Sequence, residues 1–475
     1  MTTIQATNPR TGRVDFTAPG TSPEQLRELA GELRLSQRAW AASLDNRLAV
    51  LNIWAEALQR HAQSLAEALT EDTGRRMLSH FEVMGMIQRI HYWAKRAPQL
   101  CGESPGQKSV TANNVGYLHQ RIPYPLVGVI SPWNFPLTLS LVDAIPALFA
   151  GSAVLIKPSE VTPRFAGALQ RSIDEAEDLR SVLRVVVGDG SSGAALVDNV
   201  DMICFTGSVK TGRKVAVRAA ENLIPACLEL GGKDPAFVLE DADLDAAAEA
   251  ILRSAAGSCG QACMSVERIY VHQSVFDKFR EALVTRCEKQ RFNTPDIHAG
   301  TMYPFIDQRQ AAKVAAQLQD ALDKGAQLHC GGAPESIDGG LWMPPTVLTQ
   351  INHDMQLMRE ETFGPVLPLM PFTTDAEAIA LANDSDYGLS GCVFGGENHA
   401  LTVARAVNAG AVGINDASMT ALIFDIEKQS FAYSGLGPSR MGDAGLLRFF
   451  RTKALMIQRD PPAPMAFLDE AGLPT

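Results

Sequence analysis

Between residues 126 and 286, short apolar runs alternate with segments of helix length, and this alternation leaves the chain few architectures. Leu126-Val127-Gly128-Val129-Ile130, Ala153-Val154-Leu155-Ile156, Val185-Val186-Val187 and Met202-Ile203-Cys204-Phe205 read as strands. Each is followed by turn residues and a helix-like stretch. A strand that is apolar throughout has both faces covered, the condition of a parallel sheet with helices on either side. The cycle resumes after Glu229, with strands expected over 235–239 and 268–271 and helices over 244–256 and 275–286. The expected fold is α/β, with two doubly wound, Rossmann-like domains, the second starting near residue 230. A length of 475 residues accommodates both, since a domain takes roughly 150.

The flanks read differently. Ser22-Pro23-Glu24 opens a helix, with proline at the first helical position behind a serine cap. Leu51, Trp54, Leu58, Leu65 and Leu69 keep helical spacing, so helix is expected to dominate the first hundred residues. Over 109–130 the pattern turns strand-like, with Val115, Tyr117 and His119 alternating ahead of Pro123 and Pro125. Proline in such a run suits an edge or projecting strand. This β excursion pairs either inside the chain, the commoner case, or with another subunit. Residues 461–475 are proline-rich and expected to form a loose tail.

Composition removes several function classes. With 46% hydrophobic and 20% charged residues the chain is not of disordered type. A net charge of −11 repels phosphate, so nucleic acid is not an expected partner. The longest apolar stretch, 139–156, contains Asp143, Pro146 and Gly151 and reads as a buried helix, turn and strand instead of a membrane span. No secretory signal opens the sequence, and a cytoplasmic location follows as the expectation. Eight cysteines in so long a chain read as reduced thiols. The nine histidines are scattered, and without Cys-x-x-Cys or His-Glu-x-x-His no metal site is expected.

Ligands of open α/β sheets sit beyond the carboxyl ends of strands, so the turns there carry the candidates. Gly188-Asp189-Gly190-Ser191-Ser192-Gly193 has the G-x-G-x-x-G form but lacks a strand-end acid about 20 residues on; a plain glycine-rich connection explains it as well. Phe205-Thr206-Gly207-Ser208-Val209-Lys210-Thr211 either binds phosphate at a helix start or simply caps that helix. Lys157-Pro158-Ser159-Glu160 could hold ribose hydroxyls or be a solvated turn. Pro132-Trp133-Asn134-Phe135-Pro136 is a rigid turn that aims one amide, either to an oxyanion or to its own helix as a cap. Glu229 stands between leucines, surroundings that raise a carboxyl pKa and suit a general base, although a paired structural acid is commoner. Cys263, after Gly260-Gln261-Ala262, is the candidate nucleophile, against the default that a cysteine is a small buried hydrophobe.

Together these residues resemble the aldehyde dehydrogenase superfamily. Pro-Trp-Asn-Phe-Pro at 132–136, Lys-Pro-Ser-Glu at 157–160, Phe-Thr-Gly-Ser at 205–208, Glu-Leu-Gly-Gly-Lys at 229–233, Gly-Gln-x-Cys at 260–263 and Glu-x-Phe-Gly-Pro at 361–365 stand in the family's order. The likeness runs from about Asn8 to Gln458. It implies that Cys263 attacks an aldehyde carbonyl, that Asn134 and the Cys263 N–H hold the oxyanion, and that Glu229 activates the water that hydrolyses the thioester. It also implies NAD, with NADP as the variant, held by Pro132, Trp133, Lys157, Ser159, Glu160, Gly190, Phe205, Gly207, Ser208, Thr211, Leu230, Glu361 and Phe363. The implied domains are 1–107 with 124–230 for the dinucleotide and 231–433 for catalysis. Strands in 108–123 and 450–460 would serve oligomerisation, in a homodimer or homotetramer.

This chain departs from the family pattern at several points. The glycine turn at 188–193 is one residue short, Ser152 replaces a frequent Asn, and Asp143 stands where many members carry Lys. Ser434-Gly435-Leu436-Gly437-Pro438-Ser439-Arg440 inserts Pro-Ser into the family's Ser-Gly-x-Gly-Arg. Two rival readings are a CoA-acylating member, which typically lacks the base at Glu229, and a catalytically silent binding protein. Thr138, Leu139, Leu141, Ala262 and Met264 suggest an apolar tunnel for a medium-chain or aromatic aldehyde.

Overall fold

The computed structural model describes residues 2–102 and 105–470. Its first large sheet has six strands in the order Gly435–Leu436, Ala226–Glu229, Met202–Thr206, Leu126–Ile130, Ala153–Lys157 and Leu183–Val185. Only the first pair is antiparallel. Chain order runs outward in both directions from Leu126–Ile130. The crevice where the winding reverses therefore opens between the carboxyl ends of that strand and Met202–Thr206, the ends that carry 131–136 and Gly207-Ser208.

The second sheet has seven strands: Gln327–Cys330, Thr346–Thr349, Val366–Phe372, Val266–His272, Asp234–Val238, Ser390–Phe394 and Ala411–Ile414. All neighbours are parallel except Gln327–Cys330, which runs against Thr346–Thr349. Strand alternation divides its side chains between two cores. Phe237, Tyr270 and Val393 pack on one face, and Ala236, Val238, Ile269 and Val271 on the other.

The helix Pro136–Ala150 is buried on nearly every side, as its sequence requires. It ends at Gly151, whose φ of +103° turns the chain directly into Ala153–Lys157. A Cβ there would press on Ala41 at 3.2 Å, so glycine serves both the turn and the close approach.

Two expectations change and one open alternative closes. Residues Thr3–Asn8 and Arg13–Pro19 form an antiparallel hairpin, so helix begins only at Pro23. From there the helices Pro23–Ala42, Leu44–Arg60, Ala62–Thr73 and Arg76–Leu100 follow. The Ser22 cap completes a box with Gln25. The strand expected at 185–187 is Leu183–Val185, because the carbonyl of Val187 turns away to accept from Thr21 N–H at 2.8 Å. Finally, Val115–Pro123 pairs antiparallel with Phe450–Gln458 of the same chain along nine residues. The excursion is thus closed internally. Among the described residues the far edge of Phe450–Gln458 has no partner strand, and Met456 on it is 77% exposed.

Of the expected tail, 461–470 are exposed with one short turn at Met465–Leu468, and 471–475 lie outside the described residues. Among the described residues no helix is long and apolar enough to cross a membrane.

Candidate active site

Cys263 follows a backbone turn that few sequences can make. Ser258, Cys259 and Gly260 take φ values of +55°, +57° and +67° in succession. Each non-glycine residue in that left-handed region costs about 1–2 kcal/mol. The fully buried Arg75 holds the turn from outside, donating to Ser258 Oγ and to the Asn134 carbonyl. Gln261 holds it from within: Nε2 donates to Ser258 O at 3.0 Å and Pro304 O at 3.2 Å, and Oε1 accepts from Ile306 N–H at 2.9 Å. A Cβ on Gly260 would run into the Gly364 carbonyl, so the turn lies flat on the 361–365 segment. Cys259 is buried in the core with Phe237, Tyr270 and Met343, which assigns it to packing.

Asn134, from the first sheet, reaches the same turn. Its Nδ2 donates to Gln261 O at 2.9 Å, and that bond uses one of the two N–H groups of the amide. The capping alternative is excluded, since the helix Pro136–Ala150 has no side-chain cap. The amide of one sheet and the cysteine of the other are thereby fixed together.

Glu229 ends the strand Ala226–Glu229 and faces Gly435 across the antiparallel pair. Apolar surroundings were expected from Leu228 and Leu230. The leucines are buried, but the carboxylate meets polar groups: Ser430 Oγ donates to Oε2 at 2.8 Å and Lys428 Nζ stands 3.7 Å away. Burial pushes the Cys263 thiol up to about 12; Lys428 pulls it down, while Glu229, Glu361 and Asp234 push it further up. The resting sulfur is accordingly a thiol, and ionising it needs added positive charge.

The cofactor candidates line the crevice of the first sheet. Lys157 is buried, with Nζ 3.3 Å from Glu160 Oε2 and 3.2 Å from Pro158 O. Ser159 Oγ closes the turn by accepting from Val161 N–H at 3.2 Å. Gly190 opens the helix Gly190–Asp198, whose N-terminus is occupied by the Asp189 carboxylate, bonded to Ser191 N–H at 2.8 Å and Ser192 N–H at 3.3 Å. An anion already sits where a pyrophosphate would bind, so the G-x-G-x-x-G segment is a capped turn. Ser208 caps Val209–Glu221, accepting from Thr211 N–H at 3.3 Å. Phe205 packs under Gly207, and Leu230 fills the space beside Gly212.

The second sheet supplies the opposite wall. The Glu361 carboxylate accepts from Gly232 N–H at 3.2 Å, and a Cβ on Gly231 would lie 2.6 Å from it. Burial raises this carboxyl to about 7, and Glu267 adds to the shift. Phe363 meets Trp133, next to Pro132, edge to face with ring centroids 5.5 Å apart. Phe363 has φ +57°. Its N–H and that of Thr362 both donate to the buried Glu267, at 2.7 and 2.8 Å, and Lys233 Nζ donates to the same carboxylate at 2.7 Å. Paired acids, a buried lysine and glycines with no room for a Cβ fit the sugars and backbone of a dinucleotide.

Arg75, Glu267, Lys428 and Ser430 escaped the sequence reading. Glu267, four residues past Cys263, and Lys233, ending the Glu-Leu-Gly-Gly-Lys motif, offered a positional hint; the others offered none. Asp143 takes a role its sequence context hid. Burial would raise its pKa, but Arg440, at 2.9 Å, and Arg448 outweigh that and hold it below the usual carboxylate range. It thus anchors the loop with the inserted Pro-Ser. Leu141, proposed for the tunnel, belongs to the core of the first sheet, while Thr138 and Leu139 are half-buried.

Two wound sheets that bring a strand-end crevice against a cysteine and a fixed amide have the fold and site of a dinucleotide-dependent oxidoreductase. The aldehyde dehydrogenase family model matches residues 1–455. The solved structure of PutA from Anabaena variabilis, described as an aldehyde dehydrogenase, superposes with a TM-score of 0.95 at 45% identity, covering 98% of this chain and 100% of that one. A Mycolicibacterium smegmatis protein named as a succinate-semialdehyde dehydrogenase [NADP(+)] is 34% identical over 469 residues, 95% of this chain and 89% of its own. A Methylomonas protein named 4,4'-diapolycopene aldehyde oxidase is 36% identical over 460 residues, 94% and 84% of the two chains. The chain belongs to the aldehyde dehydrogenase family, enzymes that oxidise aldehydes with NAD(P).

Proposed function

We propose that the chain converts an aldehyde to the free carboxylic acid through a thioester on Cys263. The bond from Asn134 Nδ2 to Gln261 O carries this reading, because it sets an amide donor beside the nucleophile's own turn. The Cys263 thiol gives up its proton to solvent water and its sulfur adds to the aldehyde carbon, the carbonyl π pair moving onto oxygen. The second Asn134 N–H and the Cys263 main-chain N–H take the oxygen as it becomes anionic. NAD(P)+ held in the crevice would accept the hydride of that carbon's C–H bond, the oxyanion re-forming the carbonyl of a thioester on Cys263. Glu229 then removes a proton from the water that attacks the thioester, and Cys263 leaves as thiolate.

Lys157, Glu160, Gly207, Ser208, Thr211, Trp133, Glu361 and Phe363 would hold the dinucleotide. NAD is favoured over NADP because Glu160 and Asp189 both lie near Lys157 and would repel a 2′-phosphate. Thr138, Leu139, Ala262 and Met264 favour a medium-chain or aromatic aldehyde. The open edge of Phe450–Gln458, with Leu455, Met456 and Ile457 exposed, favours assembly as a dimer or a pair of dimers.

An aldehyde panel with each cofactor, run beside Cys263→Ala, tests the reading. NADH should form faster than NADPH with hexanal or benzaldehyde, and the variant should be inert. Equal rates in variant and parent remove Cys263 as nucleophile, and acyl-CoA appearing on addition of CoA replaces the hydrolytic step.

A further inference from the structure

A cation reaches the reaction centre from a segment that lies between the short helix Met419–Leu422 and the strand pair at Gly435. Lys428 has a side chain only 9% exposed. Its Nζ donates to Ser430 Oγ at 3.3 Å, Ser430 Oγ donates to Glu229 Oε2 at 2.8 Å, and Nζ itself stands 3.7 Å from that oxygen. The placement is built in. Lys428 N–H donates to Ser439 Oγ at 3.1 Å, Ser439 is buried, and Gly435 pairs with Glu229 in the sheet, so the segment is tied down on both sides of the pair. Holding a lysine out of water costs several kcal/mol unless charge compensates it.

The compensation lies in the centre itself. Lys428 acts on the Cys263 thiol as the favourable cation, and Glu229, Glu361 and Asp234 act against it. Lys428 also acts electrostatically on Asp234, and Glu229 on Arg440. A carboxylate nearby disfavours a thiolate, and an ammonium favours it.

We infer that Lys428 is a positioning residue of the active centre: with Ser430 it fixes the Glu229 carboxylate and sets a positive charge beside it. This rests on the roles proposed above for Cys263 and Glu229.

The test alkylates the full-length protein with iodoacetamide, without substrate, and follows the Cys263 peptide by mass spectrometry. Lys428→Met should react at Cys263 about tenfold more slowly at pH 8, the effect of moving a thiol pKa by about one unit. Lys428→Arg should restore the rate. Lys428→Gln, which keeps a partner for Ser430, should match the Met variant. In turnover, the acidic limb of kcat/KM should move to higher pH by about one unit while KM for the cofactor stays constant. Unchanged alkylation rates and pH profiles in both neutral variants overturn the inference. If Cys263→Ala still oxidises aldehydes, the underlying assignment has failed instead; an inert Cys263→Ala beside an unperturbed Lys428→Met condemns the role of Lys428 alone.

Discussion

Glu267→Ala should damage stability and cofactor binding together, and the two effects can be separated. The Glu267 carboxylate, 3% exposed, accepts from Lys233 Nζ, Thr362 N–H and Phe363 N–H, all within 2.8 Å. Removing it strands the Lys233 ammonium, which burial already shifts toward the neutral amine. Breaking a buried pair by deleting one member costs about 3–5 kcal/mol. At about 2–4 °C per kcal/mol for a domain of this size, the melting temperature should fall by about 6–20 °C. The second consequence is local. Phe363 sits at φ +57°, and the two N–H bonds to Glu267 help keep it there. Released, the ring loses its fixed contact with Trp133 and Glu361 loses its neighbour's support. KM for NAD should then rise at least as steeply as kcat falls. The double variant Lys233→Met/Glu267→Met separates the effects: without a stranded charge, most of the melting temperature should return, yet KM for NAD should stay high because the two N–H groups still lack an acceptor. Differential scanning fluorimetry and initial rates read both. A Glu267→Ala protein that melts within about 2 °C of the parent, or a double variant with normal KM, refutes the reasoning.

Other outcomes follow from the same geometry. Asn134→Ala should lower kcat by about 10²–10³, the usual effect of losing one oxyanion donor, with little change in KM for NAD; an unchanged kcat removes the amide from the oxyanion site. Gly260→Ala should yield little active enzyme, since its Cβ meets the Gly364 carbonyl at a φ of +67°, and normal specific activity would show that the turn tolerates a side chain. Burial lifts the Asp234 carboxyl to about 8, while Ser390 opposes the shift; the unfolded value is about 3.9. The folded state therefore holds the extra proton between those limits, and this group's contribution falls as pH rises from about 4 to about 8. Asp234→Asn keeps the Ser390 acceptor and should flatten that decline in urea midpoints measured at pH 5 and 8; parallel slopes would count against it.

The sheets, the turns and the chemical groups were legible in the sequence because each depends on local pattern. Runs apolar on both strand faces mark a parallel sheet, Pro-Trp-Asn-Phe-Pro and Glu-Leu-Gly-Gly-Lys stand where strands end, and the roles of these motifs and of Gly-Gln-x-Cys are what the family resemblance implied. Short-range signals misled where a distant partner took the backbone: Val187 left its strand for Thr21, and Thr3–Asn8 paired with Arg13–Pro19 as a hairpin. What only the tertiary structure decided is charge. Glu229 lies between leucines in the chain, yet Ser430 and Lys428, some 200 residues away, face its carboxylate. Nothing in the sequence tied Asp143 to Arg440 and Arg448, some 300 residues on, and Asp189 proved to fill the helix end that a phosphate would have used. Residue type and spacing fix what a side chain can do; whether it is ionised, and to whom it is bonded, depends on groups that only folding brings within a few ångströms.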